Sequence, residues 1–193
     1  MKVCVYGSAS NRIDEKYIKD GFELGKILAK RGHTMVFGAG SEGLMGAVAR
    51  GFQAGGSTVH GVIPKFFEEN GYEAIFYQSD KLTYTKTMAE RKQTMEDECD
   101  AFVITPGGIG TFEEFFQVLT LKQLGRHKKA IAIYNSNGYY DELLVLLNGG
   151  VAKGFINKEC EKLTATFTDP NALCDYLENY SEKDVNWSNL KRN

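Results

Sequence analysis

The chain of 193 residues is poor in the residue patterns that mark several large protein classes. Its four cysteines, Cys4, Cys99, Cys160 and Cys174, are scattered, with no CxxC pair and no metal-ligand spacing. That argues against a disulfide framework or a structural zinc site and fits free thiols in a reducing compartment. The three histidines, His33, His60 and His127, are far apart and form no HExxH, so they read as turn and surface residues and no metal is expected. No GxSxG nucleophile elbow is present. No apolar run approaches the roughly 20 residues of a membrane span. The opening MKVCVYGSAS lacks the apolar stretch of a secretory leader, so a cytoplasmic protein without membrane contact is expected. The formal net charge of −2 gives no general basic surface for nucleic acid. Internal repeats and low-complexity segments are also missing.

What remains is an ordinary globular composition, 42% hydrophobic and 25% charged, at a length suited to one domain. Short apolar runs alternate with helical patterns. KVCVYG (2–7), TMVFGAG (34–40), STVHGVIP (57–64), DAFVIT (100–105), KKAIAIYN (128–135) and LTATF (163–167) read as strands or strands with their turns. Helical patterns occupy 14–31, 44–55, 85–99, the stretch after PGGIGT to Gly125, and 139–148. Gly32 stands where a C′ glycine would end the first helix. Asp169-Pro170 opens the last one with an N-cap and a proline at N1. This alternation implies an α/β fold, a doubly wound parallel sheet in a single domain over about 1–180, followed by a polar and loose tail at 181–193. The segment 65–84 has no period and is rich in Phe and Tyr, as functional or mobile loops are.

Ligands in such sheets bind beyond the carboxyl ends of the strands. Three turns there are rich in glycine or serine: GSASN, which holds Ser8, GAGSEG and PGGIGT. GAGSEG matches GxGxxG, but it lies on the second βα unit and the following strand ends in HGVIP rather than in an acidic residue. A dinucleotide fingerprint is therefore incomplete. PGGIGT is the stronger signal. Its glycines let backbone N–H groups converge on an anion at a helix N-terminus, and Thr111 adds a hydroxyl. No GK[ST] follows, which favours a monophosphate over a triphosphate. Glu113 and Glu114 come next, with Thr111 and Glu114 also spaced as a capping box. Phe112, Phe115, Phe116 and Leu119 share one face as the expected core stripe, with Glu114 pointing away from it. In TMAERKQTME, Met88, Arg91 and Met95 share an apolar stripe, so Arg91 is expected to be buried and to need a partner. Glu90, Lys92 and Glu96 read as a solvated face, with Lys92 within reach of an anion.

Taken together, GAGSEGLMG (38–46), AERKQTM (89–95) and PGGIGTFEE (106–114) resemble the LOG, or "Lonely guy", family of cytokinin-activating phosphoribohydrolases, whose relatives often carry a lysine decarboxylase label. The similarity spans about residues 2–180, and the step of 15 positions from Arg91 to Pro106 matches in spacing. It implies a Rossmann-like fold, a homodimer or larger assembly, and no cofactor. The implied reaction splits AMP or an N6-substituted, cytokinin-type nucleoside 5′-monophosphate into free base and ribose 5-phosphate. Arg91 and Glu114 take the catalytic positions. Ser8, Met88, Lys92, Gly107, Gly108, Gly110, Thr111, Glu113 and Thr120 take substrate-binding ones. Ala39 in GAG, Ala89 two residues before the arginine, and the 65–84 segment depart from the pattern, and these bear on base recognition. Phe66, Phe67, Tyr72, Phe76 and Tyr77 are candidates for a base pocket or for dimer packing. Decarboxylation would need a Schiff-base lysine, for which Lys92 is the only placed candidate. A non-catalytic nucleotide sensor is the other reading of the same turns.

Overall fold

The structure, a computed structural model, describes residues 1–191. Seven parallel strands form one sheet: β1 (Lys2–Tyr6), β2 (Thr34–Phe37), β3 (Val59–Pro64), β4 (Lys81–Thr85), β5 (Ala101–Ile104), β6 (Ala130–Tyr134) and β7 (Ala165–Phe167). Their order is β4-β3-β2-β1-β5-β6-β7, as in a doubly wound Rossmann-like sheet. The helices are α1 (Glu15–Lys30), α2 (Gly43–Ala54), α3 (Lys65–Asn70), α4 (Met88–Glu98), α5 (Ile109–Gln123), α6 (Asp141–Ala152) and α7 (Pro170–Asn179).

Strand alternation builds two cores. Val3, Val5, Met35, Phe37 and Val103 face α1, α2 and α7, where Leu24, Leu28, Phe52 and Leu173 meet them. Cys4, Tyr6, Val36, Phe102 and Ile104 face the other way, onto Met95 of α4 and Phe115 and Val118 of α5. Burial on both faces is why these strands read as unbroken apolar runs. Strand order reverses between β1 and β5, so their carboxyl ends flank the crevice where such sheets bind ligands.

Several expectations change. The segment 65–84 is not a loop throughout: it contains α3 and the edge strand β4, whose sequence KLTYT is mostly exposed or half-buried and so lacks an apolar signature. Residues 181–191 are not loose, because Val185 and Leu190 are buried against Leu163; residues 192–193 lie outside the described residues. His33 and His60 are buried rather than superficial. His33 Nε2 meets Glu178 at 3.1 Å and His60 Nε2 meets Thr83 Oγ1 at 2.8 Å, with Glu98 2.9 Å from His60 Nδ1; burial lowers the pKa of both rings. Glu96 is buried too, drawn in by Gln117 of α5. No helix among the described residues is long and apolar enough to cross a membrane.

Candidate active site

The PGGIGT turn leaves β5 and enters α5 at the point where the strand order reverses. It is held from both sides. The Ser8 N–H donates to Pro106 O at 3.1 Å, while the hydroxyls of Tyr139 and Tyr140 donate to Gly107 O at 2.5 Å and Thr105 O at 2.7 Å. Gly108 is the N-cap of α5 and gives it no side-chain hydrogen bond. The first-turn N–H groups, which have no intrahelical acceptor, therefore face the cleft with the positive end of the helix dipole. A Cβ on Gly107 would lie 2.1 Å from Thr111 Oγ1, so only glycine leaves room for that buried hydroxyl. At Gly108 and Gly110 a Cβ would meet nothing within 4 Å, because those positions open onto the cleft itself.

Thr111 is the third residue of α5 rather than its cap, so the capping-box reading of Thr111 and Glu114 does not hold. A side-chain cap forms on α4 instead, at its N-cap Thr87. Thr87 Oγ1 accepts from Glu90 N at 3.1 Å and Glu90 accepts from Lys86 N at 2.7 Å. That cap sets the register of α4 and turns Arg91 inward. The buried stripe of α5 is Thr111, Phe115, Val118 and Lys122; Phe116 is 39% exposed and leaves the expected core face. Glu114, one residue before Phe115, borders this stripe and faces the cleft from beside the sheet.

Arg91 is 6% exposed, and its partners are main-chain carbonyls instead of a carboxylate. Nε donates to Val62 O at 3.1 Å and one terminal nitrogen to Gly38 O at 3.0 Å, at the carboxyl ends of β3 and β2. The guanidinium carbon lies 5.5 Å from the centre of the Phe67 ring, and the Met88 sulfur is 3.9 Å from the other terminal nitrogen. This gives GAGSEG a purpose unrelated to dinucleotides. A Cβ on Gly38 would lie 1.8 Å from the guanidinium, so this glycine makes space for the arginine. Ala39 holds φ 64, a left-handed conformation uncommon for a residue with a side chain. At the N-terminus of α2 the N–H groups of Gly43 and Met45 are already taken by Asn11 Oδ1 and Ser8 O. No anion is needed there.

The cleft between these elements measures about 360 Å³. Ser8, Met88, Arg91, Gly108, Gly110, Thr111, Glu113 and Glu114 all line it. Gly107 sits behind the turn, in a smaller neighbouring hollow beneath Tyr139. Lys92 does not line the cleft; it pairs with Glu113 and holds that carboxylate at the rim. Thr120 is brought elsewhere, to an apolar groove between α5 and α6. Nine positions along the helix, about 14 Å at 1.5 Å per residue, carry it away from Thr111.

One acidic residue was not anticipated. Glu73 lines the cleft with Arg91 and Glu114, and one of its oxygens is buried without a hydrogen-bond partner. It is placed by strapping of residues 74–76 onto the β2 turn, where Ser41 N donates to Ala74 O and Phe76 N to Ala39 O, both at 2.8 Å. Its only sequence signal was its place in an aperiodic, aromatic-rich segment. Burial raises the Glu73 carboxyl above its ordinary range, against the opposing pull of Arg91. Glu114 is pushed up to about 7, chiefly by burial, while Arg91 opposes the shift and Glu113 and Glu73 add to it. Part of its side chain opens to the cleft, but protein surrounds the carboxylate on its other sides. A carboxylate poised near neutrality beside a buried cation can stabilise positive charge or exchange a proton with water. Among the described residues that line the cleft there is no lysine.

Over residues 45–177 the sequence matches the family described as "Possible lysine decarboxylase". It is 38% identical over 180 residues to the cytokinin riboside 5′-monophosphate phosphoribohydrolase LOG of Oryza sativa subsp. japonica, covering 93% of this chain and 73% of that protein. The chain belongs to the LOG family. A cytokinin riboside 5′-monophosphate phosphoribohydrolase of Arabidopsis thaliana is 33% identical over 182 residues, covering 94% of this LOG chain and 84% of its relative. Among solved structures, the Moco carrier protein from Chlamydomonas reinhardtii superposes with a TM-score of 0.67 at 20% identity, covering 92% of this chain and 94% of that one. The molybdenum cofactor binding protein of Rippkaea orientalis gives 0.66 at 16% identity, over 92% and 93% of the two chains. At that identity the two structures share the fold with this LOG protein.

Proposed function

We propose that this LOG protein hydrolyses the N-glycosidic bond of nucleoside 5′-monophosphates, releasing free base and ribose 5-phosphate. The observation that carries the reading is one cleft holding an uncapped helix N-terminus, a buried arginine and a carboxylate raised to about 7. The 5′-phosphate belongs at the α5 turn, held by N–H groups around Gly108 and Gly110 and by the Thr111 and Ser8 hydroxyls. The ribose then lies over Arg91, between Glu114 and Glu73. As the bond from C1′ to the base nitrogen breaks, its electrons leave with the base and positive charge builds on the sugar. Ionised Glu114 stabilises that charge and takes a proton from the water whose oxygen bonds to C1′, and that proton passes to the departing base nitrogen, leaving Glu114 ionised again. Glu73 accepts hydrogen bonds from ribose hydroxyls. Arg91 positions the carboxylates from beneath the ribose, on the Phe67 side of the cleft. The two carboxylates and the anion turn thus serve opposite ends of one substrate.

The test is chromatographic detection of released base from AMP and from isopentenyladenosine monophosphate. Release of base and ribose 5-phosphate in equal amounts is expected, and no release from either nucleotide would overturn the hydrolytic reading.

A homodimer through α5 and α6 also fits. Val145 is 71% exposed, Leu146 68% and Phe155 87%, beside the apolar groove that contains Leu119, Leu147 and Thr120. Contiguous apolar patches on soluble domains mark interfaces. Sedimentation of a Val145→Glu, Leu146→Glu double variant is expected to give monomers from a dimeric parent. A monomeric parent, or a variant that remains dimeric, would remove this interface.

A further inference from the structure

The cleft has two chemically different ends. At β1 and β5 stand the anion turn, Ser8 and Thr111. Two strands away, about 10 Å at ordinary strand spacing, the cleft ends at Phe67 of α3, with Met88 beside it. Of the five aromatics in 65–84 expected to line a base pocket or a dimer surface, the structure places only Phe67 in the cleft. Phe76 is buried against Phe37, at 5.9 Å between ring centres. Tyr77 is 60% exposed and donates to Glu68, and Tyr72 is 68% exposed.

Phe67 is firmly seated. It packs on Ala39, Ile63 and Ile75, meets Phe66 and Tyr72 edge-on at 5.1 and 5.9 Å, and lies against the Arg91 guanidinium. Its support on several sides makes it a stiff end wall. At about 360 Å³ the cleft is near the lower limit for ligand pockets.

We propose that Phe67 closes the base end of the cleft and sets base size, so that this protein prefers nucleoside monophosphates with an unsubstituted base over those carrying a branched N6 group. The proposal rests on the phosphoribohydrolase reading, because it needs the phosphate at the α5 turn and the base at the opposite end. A phosphate anchored at Gly108 leaves an N6 substituent pointing at the Phe67 ring, and the seated ring has nowhere to go.

The test compares kcat/KM for isopentenyladenosine monophosphate and AMP in the wild type, Phe67→Ala and Phe67→Leu. Any disturbance of Arg91 affects both substrates and cancels in the ratio. Phe67→Leu keeps apolar packing on Ala39 and Ile63, so it reads the effect in a folded protein. The ratio is expected to rise about tenfold or more in Phe67→Ala, on the scale of steric discrimination in apolar pockets, and less in Phe67→Leu. A ratio that stays constant or falls in both variants overturns the assignment, as does a wild type that favours the branched substrate. If the wild type releases no base, hydrolysis fails separately. The ratio of calorimetric dissociation constants for the same two nucleotides then decides Phe67, and absence of binding by either overturns both readings.

Discussion

Glu114→Gln should lower kcat by about 10²–10⁴-fold, the usual range for a positioned acid–base group, with a much smaller change in KM. The amide keeps the shape of the carboxyl but cannot stabilise positive charge on the ribose or accept a proton from water. In the wild type, kcat/KM should rise with pH through about 7, where Glu114 ionises. That limb should be missing from whatever activity the variant retains. Stability should move the other way. The folded protein keeps the Glu114 proton up to about 7, whereas the unfolded chain releases it near the ordinary carboxyl value of 4.5. Between those values the unfolded state binds fewer protons, so wild-type stability falls as pH rises and stays lowered above 7. Removing the charge should therefore stabilise the variant at pH 8 by about 1–3 kcal/mol, the open cleft screening the larger figure that the shift alone implies. At pH 4 the two proteins should be alike. Thermal melts at both pH values, set beside turnover, test the assignment. A variant with full turnover, or a wild-type profile flat through 7, would sink it.

Arg91→Ala should remove both activity and stability. Without the guanidinium the carbonyls of Val62 and Gly38 lose their buried donor, each at a cost of about 1–3 kcal/mol. Truncation also leaves space beneath Phe67. A loss of about 3–5 kcal/mol, read as a fall of roughly 6–20 °C in Tm, is expected. Arg91→Lys separates the roles. Lysine retains a cation but cannot present two fixed donors to carbonyls on different strands. It should recover part of the stability while kcat/KM stays about 10²–10³-fold below wild type, on the scale of a lost preorganised donor. The pH profile distinguishes electrostatic positioning from packing. Arg91 lowers the pKa of Glu114 and of Glu73, so Arg91→Ala should move the ionisation limb above 7, whereas a purely structural role would leave it in place. Wild-type turnover in Arg91→Lys would contradict the assignment.

The two effects oppose each other within one site. Arg91 stabilises the fold and also holds down a carboxyl that the fold would rather keep protonated. Glu114 costs stability in the ionised form that the chemistry requires. Such conflicts between local stability and function are expected where a site is built for reaction.

Local sequence determined much of this protein. Unbroken apolar runs identified the strands buried on both faces, and Gly32 and Asp169-Pro170 marked helix ends that the structure confirms, with Gly32 at φ 81 and Asp169 accepting from Asn171 N and Ala172 N. PGGIGT and the Met88, Arg91, Met95 stripe pointed to an anion turn and a buried arginine because glycine clustering and helical period are properties of neighbouring residues. Tertiary structure decided what depends on residues distant in the chain. Arg91 is satisfied by carbonyls from β2 and β3, which no spacing announces. GAGSEG makes space for that arginine. KLTYT became a strand because β3 offered it an edge. Glu73 and Phe67 entered the cleft because the segment between β3 and β4 folds back over the carboxyl ends of the sheet. Thr120, close in sequence to the PGGIGT turn, was carried out of the cleft by the rise of its own helix. A periodic pattern reports which face of an element is apolar; the partner of a buried charge and the wall of a pocket are set only when the elements meet.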